Sequence, residues 1–119
     1  MTDVRELPAA AAELFARAAA AGVTLAPVLR AGPLVVDLGR YEATLDGAPV
    51  ELTPRQVELL ALFLAAPGRV WSREQLHQIC WTDVSDGRRV DVQLCRLRAK
   101  VGRHLFRTIR DRGWALRVA

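Results

Sequence analysis

Residues 88–102, RRVDVQLCRLRAKVG, constrain the fold more than any other stretch. Val90, Leu94, Leu97 and Val101 recur at i, i+4, i+7 and i+11, which places them on one face of a helix. Arg89, Gln93, Arg96 and Lys100 repeat that spacing one residue out of phase and form a polar stripe beside it. The chain must therefore build a core along one side of this helix while offering Arg, Gln, Arg and Lys along another.

A chain of 119 residues, 51% of them hydrophobic, is long enough for one domain with a real core and an extra terminal segment. The net charge of +4 conceals an asymmetry. Residues 1–87 hold 7 basic and 11 acidic side chains, whereas residues 88–119 hold 10 basic and 2 acidic. Cationic charge gathered at one end is the footprint of a nucleic-acid face or, less often, of an acidic membrane surface. No apolar run approaches the length that crosses a bilayer, so no membrane association is expected. The opening MTDVRELPAAAAELF lacks the basic flank and apolar core of a secretory signal, which predicts a cytoplasmic protein.

Ahead of the helix at 88–102 the punctuation is regular. Residues 6–21 are Ala-rich, with Leu7, Leu14, Phe15 and Ala18 at helical spacing, Pro8 at the start and Gly22 at the end. Its apolar stripe is thin, so this helix must dock on something. LVVDL (34–38), YEATL (41–45) and PVEL (49–52) predict a small antiparallel sheet, with Asp46-Gly47 as a hairpin turn. Thr53-Pro54-Arg55-Gln56 and Ser72-Arg73-Glu74-Gln75 are capping boxes that open two further helices. The first carries Val57, Leu60, Ala61 and Leu64 inward and stops at Pro67-Gly68, and the second carries Leu76, Ile79 and Cys80. A polar loop, TDVSDG, precedes the third helix, which Gly102 closes. HLFRTI and WALRV then flank Arg110-Asp111-Arg112-Gly113 as a hairpin with a doubly basic tip.

Sheet, three helices and basic hairpin, in that order, make an α+β winged helix-turn-helix with an N-terminal antiparallel sheet, a three-helix core and a C-terminal β-hairpin wing (104–118). An extra N-terminal Ala-rich helix precedes it, and the division falls at 1–32 and 33–119. A basic third helix suits the major groove of double-stranded DNA, where Arg pairs with guanine edges and Gln with adenine edges. Arg96 and Gln93, with Arg89 as a third, are the expected base readers. Arg88, Arg98 and Lys100 are the expected phosphate contacts. Arg110 or Arg112 is placed to enter a narrow minor groove.

At these residues the chain resembles the OmpR/PhoB-type DNA-binding domain of bacterial response regulators. The resemblance rests on GRVWSREQL (68–76), Trp81, VDVQLCRLRAKVG and RTIRDRGWALRV, and covers roughly residues 33–118. The family pattern there is approximately V-D-V-H-I-x-R-L-R-x-K-L, then T-V-R-G-x-G-Y. The resemblance implies a transcriptional regulator with Arg89, Gln93 and Arg96 facing bases, and Arg73, Trp81, Arg88, Arg98 and Thr108 on the backbone. It also implies that Arg110 reaches the minor groove, and that the loop containing Thr82, Asp83, Val84, Ser85 and Asp86 touches RNA polymerase. Such a protein would be associated with the nucleoid when bound. The chain departs from the family in three places. Ala-rich residues stand where the family has a phospho-receiver, so phosphorelay control is not expected. Asp111 replaces the wing glycine, and Cys95 stands where a polar or basic residue is common.

Other chemistries find little support. Two cysteines make no disulfide framework, and His77-x-x-Cys80 has no second ligand pair, so no metal or other cofactor is expected. No catalytic Ser-His-Asp set, paired carboxylates or phosphate-cradling Gly loop is present, and the chain is not expected to be an enzyme. Trp71, Trp81 and Trp114 suit helix packing, although an indole N–H at Trp81 could meet a phosphate. Cys95 lies among Arg88, Arg96 and Arg98, where a thiol could respond to oxidants. The competing class is a protein-interaction module whose basic face, or whose N-terminal helix as a homodimer or partner element, docks another protein.

Overall fold

The computed structural model describes residues 7–81 and 88–117. Helix α1 (Ala9–Ala20) takes Pro8 as its N-cap residue, and Gly22 follows it at φ 84°. Ala11, Leu14 and Ala18 are buried, whereas Leu7 and Phe15, expected in the same stripe, pack on the core only partly buried. That stripe joins the main apolar cluster, and Arg17 Nε donates to the Ile79 carbonyl.

The sheet has four antiparallel strands in the order β1 (Val28–Ala31), β2 (Leu34–Asp37), β3 (Glu42–Leu45) and β4 (Ala48–Val50). Three of these match expectation, and β1 is additional. Its four residues sit between Pro27 and the turn Gly32-Pro33, too short for an alternating pattern to register. Its partner supplies what its own sequence lacks, with Leu29 opposite Val36 and Arg30 opposite Val35. The expected division between residues 32 and 33 falls in the turn of this hairpin.

Helix α2 (Pro54–Ala65) opens with the reciprocal Thr53–Gln56 capping box and is buried from Gln56 to Leu64. Helix α3 (Arg73–Cys80) opens with the equivalent Ser72–Gln75 box. Helix α4 (Arg88–Val101) buries Val90, Leu94, Leu97 and Val101, as the stripe requires. Burial stabilises by about 1.5–3 kcal/mol for each such side chain, enough to fix which face turns inward. Gly102, at φ 116°, ends α4 with its N–H on the Arg98 carbonyl at 2.9 Å.

A 3-10 turn (Arg103–Leu105) leads into the hairpin of β5 (Phe106–Ile109) and β6 (Gly113–Leu116). Phe106 meets Phe63 of α2 edge-on at 5.3 Å, which ties the hairpin to the core. Trp71 and Trp114 exchange backbone hydrogen bonds at 2.7 and 3.0 Å, and the Gly68 N–H donates to the Leu116 carbonyl at 3.1 Å. The segment between α2 and α3 is thereby stitched to the wing. Gly113 makes this approach feasible. Its φ is 143°, and a Cβ there would lie 1.9 Å from the Trp71 carbonyl oxygen. Among the described residues no helix is long and apolar enough to cross a membrane.

Candidate nucleic-acid interface

Helix α4 displays its polar residues in two ranks. Arg88, Val92, Cys95 and Ala99 are exposed and lie opposite the buried stripe, so they form the outermost ridge. Arg89, Arg96 and Lys100 are exposed along the flank nearer α2, and Gln93 on that flank is half-buried. Val92, 45% exposed, belongs to the outermost ridge although it is no part of the charged stripe. Its signal is available in retrospect: two residues on from Val90, it cannot share that residue's inward face.

The flank is organised by Gln56, which is 1% exposed. Its Oε1 accepts from the Thr53 backbone N–H at 3.1 Å and from the Lys100 ammonium at 3.0 Å. Its Nε2 donates to Gln93 Oε1 at 3.1 Å. Gln93 and Lys100, expected on bases and phosphate, are thus held against the N-terminus of α2 in this structure.

Arg73 makes a bidentate pair with Asp91, Nε to Oδ1 at 2.7 Å and Nη2 to Oδ2 at 2.8 Å. The carboxylate raises the Arg73 pKa still further, fixing its charge. Arg73 also lines a hollow of about 520 Å³ with Thr108, Arg110 and Arg112 of the wing. It therefore marks the place where α3, α4 and the wing meet. Thr108, Arg110 and Arg112 are all exposed. The wing turn closes through the Arg112 N–H on the Ile109 carbonyl at 3.0 Å, with Asp111 at φ 62°. Asp tolerates that left-handed conformation better than most residues, which is how it can occupy a glycine position.

Trp81 is 5% exposed, with its ring stacked on His77 at 5.9 Å and the Arg55 guanidinium 4.9 Å from its centroid. A second hollow, about 400 Å³, is lined by Arg55, Trp81, Arg88, Arg89, Val92 and Gln93. Arg98 is half-buried, and its Nε has no partner among the described residues. Cys95 is exposed, whereas burial pushes the Cys80 thiol well above the ordinary range. The loop residues Thr82, Asp83, Val84, Ser85 and Asp86 lie outside the described residues.

What this arrangement can do is bind: guanidinium groups and short polar side chains line a helix and an adjoining hairpin. Comparison with known proteins agrees in kind. The profile of the family described as "Transcriptional regulatory protein, C terminal" matches residues 47–116. Response regulator protein PmrA of Pseudomonas aeruginosa is 38% identical over 92 residues, 76% of this chain and 42% of PmrA. Transcriptional regulatory protein CseB of Streptomyces coelicolor is 41% identical over 93 residues, 76% of this chain and 40% of CseB. The chain thus spans less than half the length of these relatives. Among solved structures, the DNA-binding domain of CpxR from E. coli superposes with a TM-score of 0.68 at 34% identity, covering 79% of this chain and 99% of that domain. The AdeR DNA-binding domain, solved in complex with an intercistronic region, shares the fold at a TM-score of 0.69 and 18% identity, over 76% of this chain and 99% of that one. With its sheet, three core helices and wing in the same order, the chain belongs to the transcriptional regulatory protein C-terminal family, the OmpR/PhoB-type winged-helix domain.

Proposed function

We propose that this chain binds double-stranded DNA sequence-specifically as a bacterial transcriptional regulator working in the cytoplasm. The observation that carries the reading is that two basic elements adjoin. The exposed side of α4 and the Arg110/Arg112 tip of the wing meet at Arg73. The ridge of α4 enters the major groove, where Arg96 and Arg89 reach guanine edges and Val92 offers an apolar contact to a thymine methyl. Arg88, Arg98 and Thr108 hold phosphates, which fixes register without reading sequence. Trp81, buried as it is, serves by shaping the floor beneath Arg55. Arg110 and Arg112 lie along the flanking minor groove, and Asp111 between them limits how deeply the tip inserts. Contact with RNA polymerase through residues 82–86, and pairing of two copies on one site, extend the same reading.

Retention of fragmented genomic DNA at near-physiological salt, followed by sequencing, tests it. A sharp enriched motif is the expected result, and no retention would move the basic face to a protein partner. Arg96→Ala should cost about 1–3 kcal/mol of binding and relax preference at one position. Arg98→Ala should weaken all sequences alike and flatten the salt dependence by roughly one phosphate's worth. Identical behaviour of the two variants would refute the division into readers and positioners.

A further inference from the structure

Gln56 decides which end of Gln93 faces a ligand. The two groups on Gln56 Oε1, the Thr53 backbone N–H and the Lys100 ammonium, can only donate. Gln56 Nε2 must therefore be the donor toward Gln93, and the Gln93 oxygen must be the acceptor. No freedom to exchange the amide ends remains while Lys100 and the α2 cap stay in place. The Gln93 nitrogen is the end turned away from Gln56, and an amide nitrogen only donates. Adenine recognition by Gln needs both ends presented to the base edge, oxygen to N6–H and nitrogen to N7, and here the oxygen points at the buried Gln56 of α2. Gln93 also lies more than a quarter turn round α4 from the outermost ridge, half-buried, on the hollow that Arg55, Arg88 and Arg89 line. Gln93 borders another hollow that holds Glu13 and Glu58, whereas this one has no carboxylate among the described residues that line it and is the one that suits an anionic oxygen.

We propose that Gln56 is a positioning residue that turns Gln93 from a reader of adenine into a donor to a backbone phosphate seated in this hollow. The inference rests on the DNA-binding reading and sharpens it. Gln93 then contributes affinity on every sequence and none of the discrimination, which falls to Arg89, Val92 and Arg96.

The test compares wild type, Gln93→Ala, Gln56→Glu and the double variant, by site selection from random duplexes and by affinity for the selected site. A carboxylate at position 56 keeps both acceptor bonds, to Thr53 and Lys100, but has no donor for Gln93. The Gln93 amide then reverses and turns its oxygen toward the phosphate. Each single variant is expected to lose roughly tenfold in affinity on every sequence, as loss of one hydrogen bond to a charged acceptor does. The enriched motif should stay unchanged, and the double variant should be no weaker than Gln56→Glu alone, because the Gln93 contact is already lost there. Gln93→Ala leaves every helix cap intact, so it reports on the phosphate contact even where Gln56→Glu weakens the fold. Loss of an adenine column from the Gln93→Ala motif would overturn the proposal, as would undiminished affinity or losses that multiply in the double variant. A wild-type chain that retains no DNA would overturn the DNA-binding reading itself, and this proposal with it.

Discussion

The wing and helix α4 present their cations by opposite means. The wing is positioned by its backbone: a Trp71–Trp114 bridge, a Gly68–Leu116 hydrogen bond and a glycine without which the strands could not approach. Helix α4 is positioned by side chains, with an apolar stripe inward, the Arg73–Asp91 pair at one edge and Gln56 at the other. The difference teaches where each surface tolerates change. The wing can vary its side chains, as Asp111 already shows, but not its path. Helix α4 can keep its path while single substitutions around it re-aim what it offers.

The sharpest way to break this contrast is Gly113→Ala. The added Cβ would collide with the Trp71 carbonyl at 1.9 Å, and φ 143° is strained for any L side chain. A loss of about 4 kcal/mol or more in urea unfolding is expected, in the exceptional range for a point change. A loss below about 1 kcal/mol would show that the wing is not held by this approach.

Tyr41→Phe probes a side-chain tie elsewhere, between the sheet and α2. The phenol donates to Glu58 at 2.8 Å, and Glu58 pairs with Arg55 at 3.6 Å. Burial, and then the Glu58 hydrogen bond and charge, push the phenol above its ordinary value. At pH 7 the variant should lose about 1 kcal/mol. As pH rises beyond about 10, the ordinary phenol value, the unfolded wild-type chain ionises while the folded one resists, so wild-type stability falls. The variant lacks that fall, and the two curves should converge on denaturant titration. Curves that stay parallel would deny the tie.

Arg73→Gln should have the smallest effect on stability, below about 1 kcal/mol, because both partners of its pair are nearly half exposed. Its effect on DNA should exceed that, since Arg73 aligns α4 with the wing. Thermal unfolding set against affinity separates the two, and equal small changes in both would reduce Arg73 to an ordinary surface ion pair.

Much of this was legible in the sequence where local rules suffice. Both capping boxes, the stripe at 90, 94, 97 and 101, and the hairpin around Arg110–Gly113 depend on neighbours within a few residues, and all are present. Strand β1 was not legible, because four residues containing Arg30 carry a signal only beside β2. Gln56 announced its capping role but not its reach to Gln93, 37 residues away, which exists only once α2 and α4 pack. The requirement for glycine at 113 was hidden for the same reason: it comes from Trp71, not from the turn. The charged stripe drew attention to Arg and Gln, whereas the outermost ridge contains Val92 and Cys95.

The hydrogen bond from Arg17 to Ile79 crosses 62 residues. During synthesis α1 is made before α3, the helix that completes its docking surface. A 12-residue Ala-rich helix with one thin apolar stripe is marginal alone, so its order waits on α3. Such a late partner lengthens the search for native contacts and places α1 among the segments that open first. Its amides should exchange with solvent well ahead of those of α2, giving the molecule a fast-exchanging N-terminal helix on a slow core.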